Sequence, residues 1–465
     1  MNSFFFSLVV VVLTAASVLL GPNSVVGQTD FFDAARERIE QHRKTDLIVN
    51  VKNTNGKIIR DLDLTVTMTG HQFGWGTAVV ANRINSSSPD NQIYKQKLLE
   101  NFNQVVFEND LKWPAWEGAW GSGLGWSQAD SALGWLDGKG LPARGHYAAW
   151  ATLSGPDGYG PGNSSGSTEG LQQKVLDHIT EKLSTVGNRV SEWDVINHPV
   201  GWGPATYEDE FGLPFYKEIV NHSRSVAPAG MEMWMNEDNI SNGGSTSDNY
   251  ERILNYLDGQ NAAPDGIGFQ GHFKSSWGRN KNKTAENIYA QLDRFSEIIP
   301  RLQFTEFDID VATYDDDGNV EQYDETLHAQ LMNDYLIAAF SHEDLEAITL
   351  WGFWEDSHWL PPAALYNSDW TERAALTAYQ NLVFDEWWTE TSGITDNDGN
   401  YSFRGFKGGY EVLVNYDGRE YRQFFDSSSG TFEFLVNVPE PGCGWWLSLM
   451  SVSWLSRRSR SNRSA

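Results

Sequence analysis

From His71 to Phe384 the hydrophobic pattern alternates between short apolar runs and longer amphipathic stretches. The short runs are Phe73–Val80, Gln104–Phe107, Ala143–Trp150, Glu192–Ile196, Met231–Met235, Gly266–Gln270, Leu302–Thr305 and Ala347–Phe353. Between most of them, apolar positions recur every three to four residues, as in Ile93–Phe102, Leu171–Val186, Phe215–Val226, Asn249–Leu257, Ala285–Ile298 and Thr326–Phe340. Strand then helix, repeated, is the pattern of βα units. Eight such strands predict an α/β fold, a (β/α)8 TIM barrel with enlarged loops. A doubly wound open sheet is the competing arrangement, but no glycine-rich phosphate loop follows the first strand.

The flanks read differently. Asp30–His42 predicts a short charged helix. Leu47–Lys52 and Leu62–Met68 alternate with period two around the turn Asn53–Gly56, predicting a β-hairpin lead-in. After Phe384 the helical period stops. Tyr401–Phe403, Tyr410–Val414, Tyr421–Phe425 and Thr431–Val436 predict a small β-rich appendage. The expected organisation is a signal peptide over 1–27, a lead-in over 28–70, the barrel over 71–386, a β-rich domain over 387–437 and a sorting tail over 438–465. Asp396, Asp398 and Asp315-Asp316-Asp317-Gly318 lack the later Glu of a calcium loop and read as turns.

Both ends carry short apolar runs. Phe4–Leu20 followed by small residues to Gly27 reads as a secretory signal, with a retained anchor as the alternative. At the other end Val438-Pro439-Glu440-Pro441 precedes an apolar run, Cys443–Leu455, and then Arg457-Arg458-Ser459-Arg460. This order resembles the PEP-CTERM sorting tail of Gram-negative-type envelopes. The resemblance implies an exosortase-type sorting enzyme as partner and a surface or extracellular location.

Composition sharpens the choice of partner. Net charge is −28, and the four tail arginines leave the remainder more acidic still, so nucleic acid is excluded as a partner. The chain has 20 Trp, 17 Tyr and 24 Phe. That supply of flat surfaces suits either a Trp-rich core or stacking against sugar faces. Cys443 stands alone, so no internal disulfide exists.

Candidate chemistry collects at the predicted strand ends, where a barrel keeps its reactive groups. Glu108, Asn109 and Lys112 follow the second strand; His146 and Trp150 lie on the third; Asn197 and His198 close the fourth. Glu237 closes the fifth, Gln270 and His272 the sixth, and Trp351 and Trp359 belong to the eighth. The seventh runs into Glu306 and Asp308, carboxylates with no packing reason to be there. Each alone reads as a solvated loop residue. Together, acids, amides, histidines and tryptophans without a Cys/His cluster describe a carbohydrate site with no metal and no cofactor.

Several stretches, in order, carry a resemblance. They are Gly76–Val79 with Asn82-Arg83, Glu108–Trp113, Arg144–Trp150, Trp193–Asn197, Gly266–His272, Thr305–Asp308, and Trp351–Phe353 with Trp359–Pro361. From about Thr69 to Leu382 the chain resembles glycoside hydrolase family 10, the endo-β-1,4-xylanases. The resemblance implies internal cleavage of β-1,4-xylan with retention, with Glu306 as nucleophile, His272 and Asp308 supporting it, and Asn197 on the sugar 2-OH. It places Glu108, Asn109, Lys112, His146, Trp150 and Gln270 on the non-reducing side, and Trp351 and Trp359 over the ring. A monomer is expected.

One position departs from the family. Its acid/base Glu follows the Asn of the fourth strand, where this chain has His198 and then Pro199; Ala151 also replaces a frequent His. Three readings follow. His198 is itself the acid, or Glu237 substitutes, or the chain is a catalytically impaired xylan-binding protein on the same barrel.

Overall fold

The computed structural model describes residues 22–153, 159–161, 168–202, 205–274 and 284–437. The apolar run Phe4–Leu20 and the tail 438–465 lie outside the described residues. No helix among those residues is long and apolar enough to cross a membrane.

Parallel strands form a (β/α)8 barrel, as the alternation predicts. In chain order they are Gly74–Val79, Gln104–Phe107, a split third strand, Glu192–Asn197, Glu232–Glu237, Gly266–Phe269, Leu302–Asp310 and Leu345–Leu350. The third strand is interrupted. Ala143–Arg144 pairs with the second strand and Ala149–Trp150 with the fourth. A bridge from Gly145 to Trp193 spans the break and closes the ring. Gly145 is required there, because a Cβ would lie 2.3 Å from the Trp193 ring.

Helices cover these strands, so both strand faces are buried. Every residue of Leu302–Asp310 is buried, Glu306, Asp308 and Asp310 included. Leu171–Val186 shows how the covering helices are specified. Its buried Val175, Ile179, Leu183 and Val186 recur every three to four positions, and Gly187 at φ 57° ends it. Thr206 and Asp209 form a reciprocal capping box that starts the short helix after the fourth strand.

The hairpin lead-in is a correction. Lys44–Asn53 and Asp63–His71 belong to different sheets and do not pair with each other. The first pairs antiparallel with Asn400–Phe406 and parallel with Thr431–Val436. The second lies between Glu390–Ile394 and Gly408–Tyr416, with Arg419–Asp426 outermost. Lead-in and appendage are therefore one two-sheet β module, built from both sides of the barrel segment. Leu47, Val49, Leu64, Val66, Val412 and Phe434 fill it. The first helix also begins earlier than expected, at Pro22.

The module docks at the N-terminal ends of the barrel strands. The Arg43 guanidinium donates to the carbonyls of Phe340 (2.7 Å), which ends the preceding helix, of His342 in the connection, and of Leu345 (2.9 Å), which starts the eighth strand. Trp75 of the first strand stacks on Trp387, centroids 5.5 Å apart. The strands release Glu306, Asn197 and Gln270 at the opposite end, away from this module. The two aspartate-rich loops are turns: Asp315 accepts from the Asp317 and Asn319 amides, and Asp396 from those of Asp398 and Asn400.

Candidate active site

Glu306 lies at the centre of a polar cluster at the C-terminal ends of the strands. Asn236, from the fifth strand, donates its side-chain N–H to Glu306 Oε1 at 2.8 Å and to Asn197 Oδ1 at 3.0 Å. The Glu306 carboxylate only accepts, which fixes which way that amide faces, and Asn236 Oδ1 lies 2.5 Å from the Thr305 hydroxyl. The other Glu306 oxygen meets His272 Nε2 at 3.3 Å. His272 Nδ1 faces Asp308 Oδ2 at 3.0 Å, and the Trp359 indole N–H donates to the same oxygen at 2.8 Å.

His272 thus has a carboxylate at each ring nitrogen. Burial opposes its charge, but Asp308 and Glu306 raise its pKa to about 10. Burial likewise works against the Glu306 carboxylate, while His146, His272 and Lys112 draw it down to about 2. His146 Nε2 lies 4.0 Å from Glu306 Oε1. Burial pushes His146 below the ordinary histidine range, so the cations that hold Glu306 ionised at neutral pH are His272 and Lys112. His146 Nδ1 is held by Asp194 at 2.8 Å, and Asp194 in turn by Arg144 at 2.8 Å. The rings of His146 and Trp351 meet edge to face, centroids 5.1 Å apart. Lys112 Nζ lies 5.7 Å from the Trp351 ring centre. Burial raises Glu108 and lowers Lys112, each working against the attraction between the two. Asn109 hydrogen-bonds the Glu108 side chain.

His198 occupies the other side of the cluster. Its φ of 54° is left-handed, a conformation that turns the chain sharply at the strand end. Its Nδ1 lies 3.1 Å from Glu237 Oε1, and its Nε2 lies 2.9 Å from Gln270 Nε2. Gln270 Nε2 is also 3.2 Å from Asn197 Oδ1. Asn197 can only accept there, so the Gln270 amide presents hydrogens to both neighbours. A carboxylate only accepts at Nδ1. The hydrogen bonds suit the tautomer that carries its hydrogen on Nδ1, with the Nε2 lone pair receiving a hydrogen from Gln270.

Two expectations change. Glu237 is not exposed as a proton donor: Oε1 receives His198 and the Asp238 amide (2.8 Å), and Oε2 receives the Val200 amide (2.8 Å). Its place is behind His198, as the group that orients the ring. Trp150 offers no open face for a sugar. It is 7% exposed, and the rings of His198 and Tyr159 both stack on it, each centroid 4.5 Å away. The remaining expected residues gather around Glu306 or along the wall beside it, with Trp359 half open to solvent at 39%.

Sequence reading missed Asn236, which joins Glu306 to Asn197. It sits beside Glu237, whose charge drew the functional reading, although the fifth strand's alternation turns the two side chains to different neighbours. Asp194 was also missed, because it lies inside an otherwise apolar strand.

Three comparisons bear on this geometry. The model of glycosyl hydrolase family 10 matches residues 64–382. An anti-sigma-I factor of Acetivibrio thermocellus is 27% identical over 416 residues, covering 88% of this chain and 50% of that protein. Endo-1,4-beta-xylanase 3 of Arabidopsis thaliana is 26% identical over 385 residues, covering 82% of this chain and 47% of that protein. The chain thus spans about half the length of these curated relatives. Among solved structures, xylanase 10B of Thermotoga maritima superposes with a TM-score of 0.58 at 19% identity, over 68% of this chain and 96% of the other. A GH10 endoxylanase from a sugarcane soil metagenome gives 0.56 at 21% identity, over 67% and 96%. These last two share the fold.

Proposed function

Because the chain belongs to glycosyl hydrolase family 10, we propose that it acts on β-1,4-xylan internally and with retention, through Glu306 as nucleophile. One observation carries this reading. Glu306 is 5% exposed yet held ionised, with one oxygen on Asn236 and the other on His272. A buried carboxylate fixed this way is oriented and unprotonated, as attack on an anomeric carbon requires. Asn197 takes the sugar 2-OH. Glu108, Asn109, Lys112, His146 and Gln270 hold the non-reducing side, and Trp351 and Trp359 wall the ring. The chain works as an exported monomer, and an exosortase-type enzyme reads its Pro-Glu-Pro tail.

The two half-reactions are unequal. In the first, Glu306 displaces the leaving oxygen, which needs a proton if it is a sugar hydroxyl. With its hydrogen on Nδ1, His198 has none at Nε2. In the second, water attacks the glycosyl-enzyme and must lose a proton. Once Gln270 releases it, the Nε2 lone pair accepts that proton, and Glu237 stabilises the imidazolium. The site is thus a competent base and a deficient acid. Loss of acid catalysis costs about 10²–10⁴-fold on an ordinary glycosidic bond.

The Gln270–His198 contact also favours a second reading, a xylan-binding protein with negligible turnover. Sugar release from xylan and from an aryl β-xylobioside separates the two. The first reading expects slow release from xylan and fast release from the aryl substrate, both lost in Glu306→Gln. Binding to xylan with no Glu306-dependent release from either substrate supports the second.

A further inference from the structure

An acid-deficient site can still be fast if the leaving group needs no acid, and a second feature indicates which leaving group that is. Trp202 lies four residues after His198 and is 44% exposed, the most open tryptophan among the described residues. Isolated exposed aromatics are common on protein surfaces. This one is neither isolated nor loosely held. Its ring centre is 6.4 Å from that of His198, tilted 32°, and 5.6 Å from that of Trp150. Tyr159 lies edge-on at 6.3 Å.

The segment that carries Trp202 is tied to the site. The Val200 amide donates to Glu237, and the Gly201 amide donates to the His198 carbonyl at 3.0 Å. Gly201 has φ 109°, and a Cβ there would fall 2.3 Å from Thr206 Cγ2, so the loop presses against the capping box. Trp202 is thus presented from the same rigid turn that sets His198. In a retaining mechanism the acid position marks the leaving-group side. An open indole face on that side, next to an imidazole with no proton to give, fits an aromatic aglycone.

We propose that the preferred substrates are aryl β-xylosides, phenolic glycosides of xylan-type chains, with the phenolic ring stacked on Trp202. This rests on Glu306 being the nucleophile. The Glu306 carboxylate forms a bond to the anomeric carbon as the bond to the phenolic oxygen breaks. The phenolate leaves with the electron pair. Water then attacks the anomeric carbon as its bond to Glu306 breaks, the water proton goes to His198 Nε2, and the imidazolium returns a proton through solvent to the phenolate. A phenol ionises near pH 10, far below an aliphatic hydroxyl, so its departure depends much less on a general acid.

The test compares three substrates on the full chain: phenyl β-xylobioside, xylotriose and β-xylobiosyl fluoride, whose leaving group needs neither an acid nor a platform. The wild type is expected to prefer phenyl xylobioside to xylotriose by at least about 10²-fold in kcat/KM. In Trp202→Ala the ratio of phenyl to fluoride kcat/KM should fall by about three- to tenfold, and Trp202→Phe should restore most of it. An unchanged ratio in Trp202→Ala, or xylotriose cleaved as fast as the phenyl substrate, overturns the proposal. If Trp202→Ala lowers both substrates equally, the residue is structural and the proposal also fails. Fluoride hydrolysis that persists in Glu306→Gln instead removes the nucleophile assignment beneath it.

Discussion

Gln270 Nε2 lies 2.9 Å from His198 Nε2, and the Asn197 carbonyl oxygen on the same amide nitrogen leaves Gln270 no orientation but that of a donor. The pair fixes the protonation of the residue that stands where the family has its acid. Turning the amide over to accept from a protonated imidazole would set the Gln270 oxygen against Asn197 Oδ1. A proton on Nε2 therefore costs one of these hydrogen bonds: that to His198 if the amide stays, that to Asn197 if it turns.

Replacing His198 by Glu should restore the missing acid. The new carboxyl would face Glu237, and two carboxylates sharing a site push one pKa up, as an acid working near neutral pH requires. His198→Glu is expected to raise release from xylan by about 10²–10⁴-fold and leave xylobiosyl fluoride hydrolysis nearly unchanged. Parallel assays on the two substrates check this.

The pH profile follows from Glu306 and His272. Glu306, lowered to about 2, contributes stability above the ordinary carboxylate value of 4.5 that is lost as pH falls toward 2. His272, raised to about 10, contributes stability below the ordinary histidine value of 6.5 that is lost as pH rises toward 10. The kcat/KM for the fluoride, which reports the attack by Glu306, should be flat between these limbs. His272→Ala removes a cation from Glu306 and should move the acid limb upward by about 1–3 units. Initial rates across buffers, with folding followed by circular dichroism, measure both.

Asn236→Ala should test how far orientation of Glu306 matters. The variant loses the donor to Oε1 and the link to Asn197 together. A drop in kcat of about 10²-fold on the fluoride is expected, with stability reduced by about 1–3 kcal/mol. A large stability loss without a loss of kcat would make Asn236 a packing residue.

The barrel was legible because parallel strands covered on both faces leave apolar runs that stand out from amphipathic helices. Leu171–Val186 is found where its periodicity predicts. The seventh strand outran its expected end at Thr305, since the sixth strand's continuation pairs His272 with Asp308 and Lys274 with Asp310. The hairpin failed for a different reason. Turn residues signal a local pairing, but Lys44 pairs with Phe406, and nothing near Lys44 encodes that. Glu390–Ile394 was missed because a strand of Glu, Thr, Ser, Gly and Ile has little apolar alternation. At the site, residue types located the cluster, but only packing shows that Trp150 is covered and Glu237 occupied.

The β module supplies a stability prediction. Phe434 is fully buried in a strand that pairs with Lys44–Asn53. Phe434→Ala should cost about 3–5 kcal/mol in urea unfolding. Because the module joins both flanks of the barrel, the loss should appear in one transition for barrel and module. Two separated transitions would show that they fold independently.

Turnover in this site begins with a covalent bond at Glu306 that forms without an acid. Intact mass after exposure to 2-deoxy-2-fluoro-xylobiosyl fluoride, followed by peptide mapping, measures it directly. The prediction is one adduct per chain, located on Glu306, absent in Glu306→Gln and formed at close to the wild-type rate in His198→Ala. No adduct, or an adduct on another residue, would contradict it.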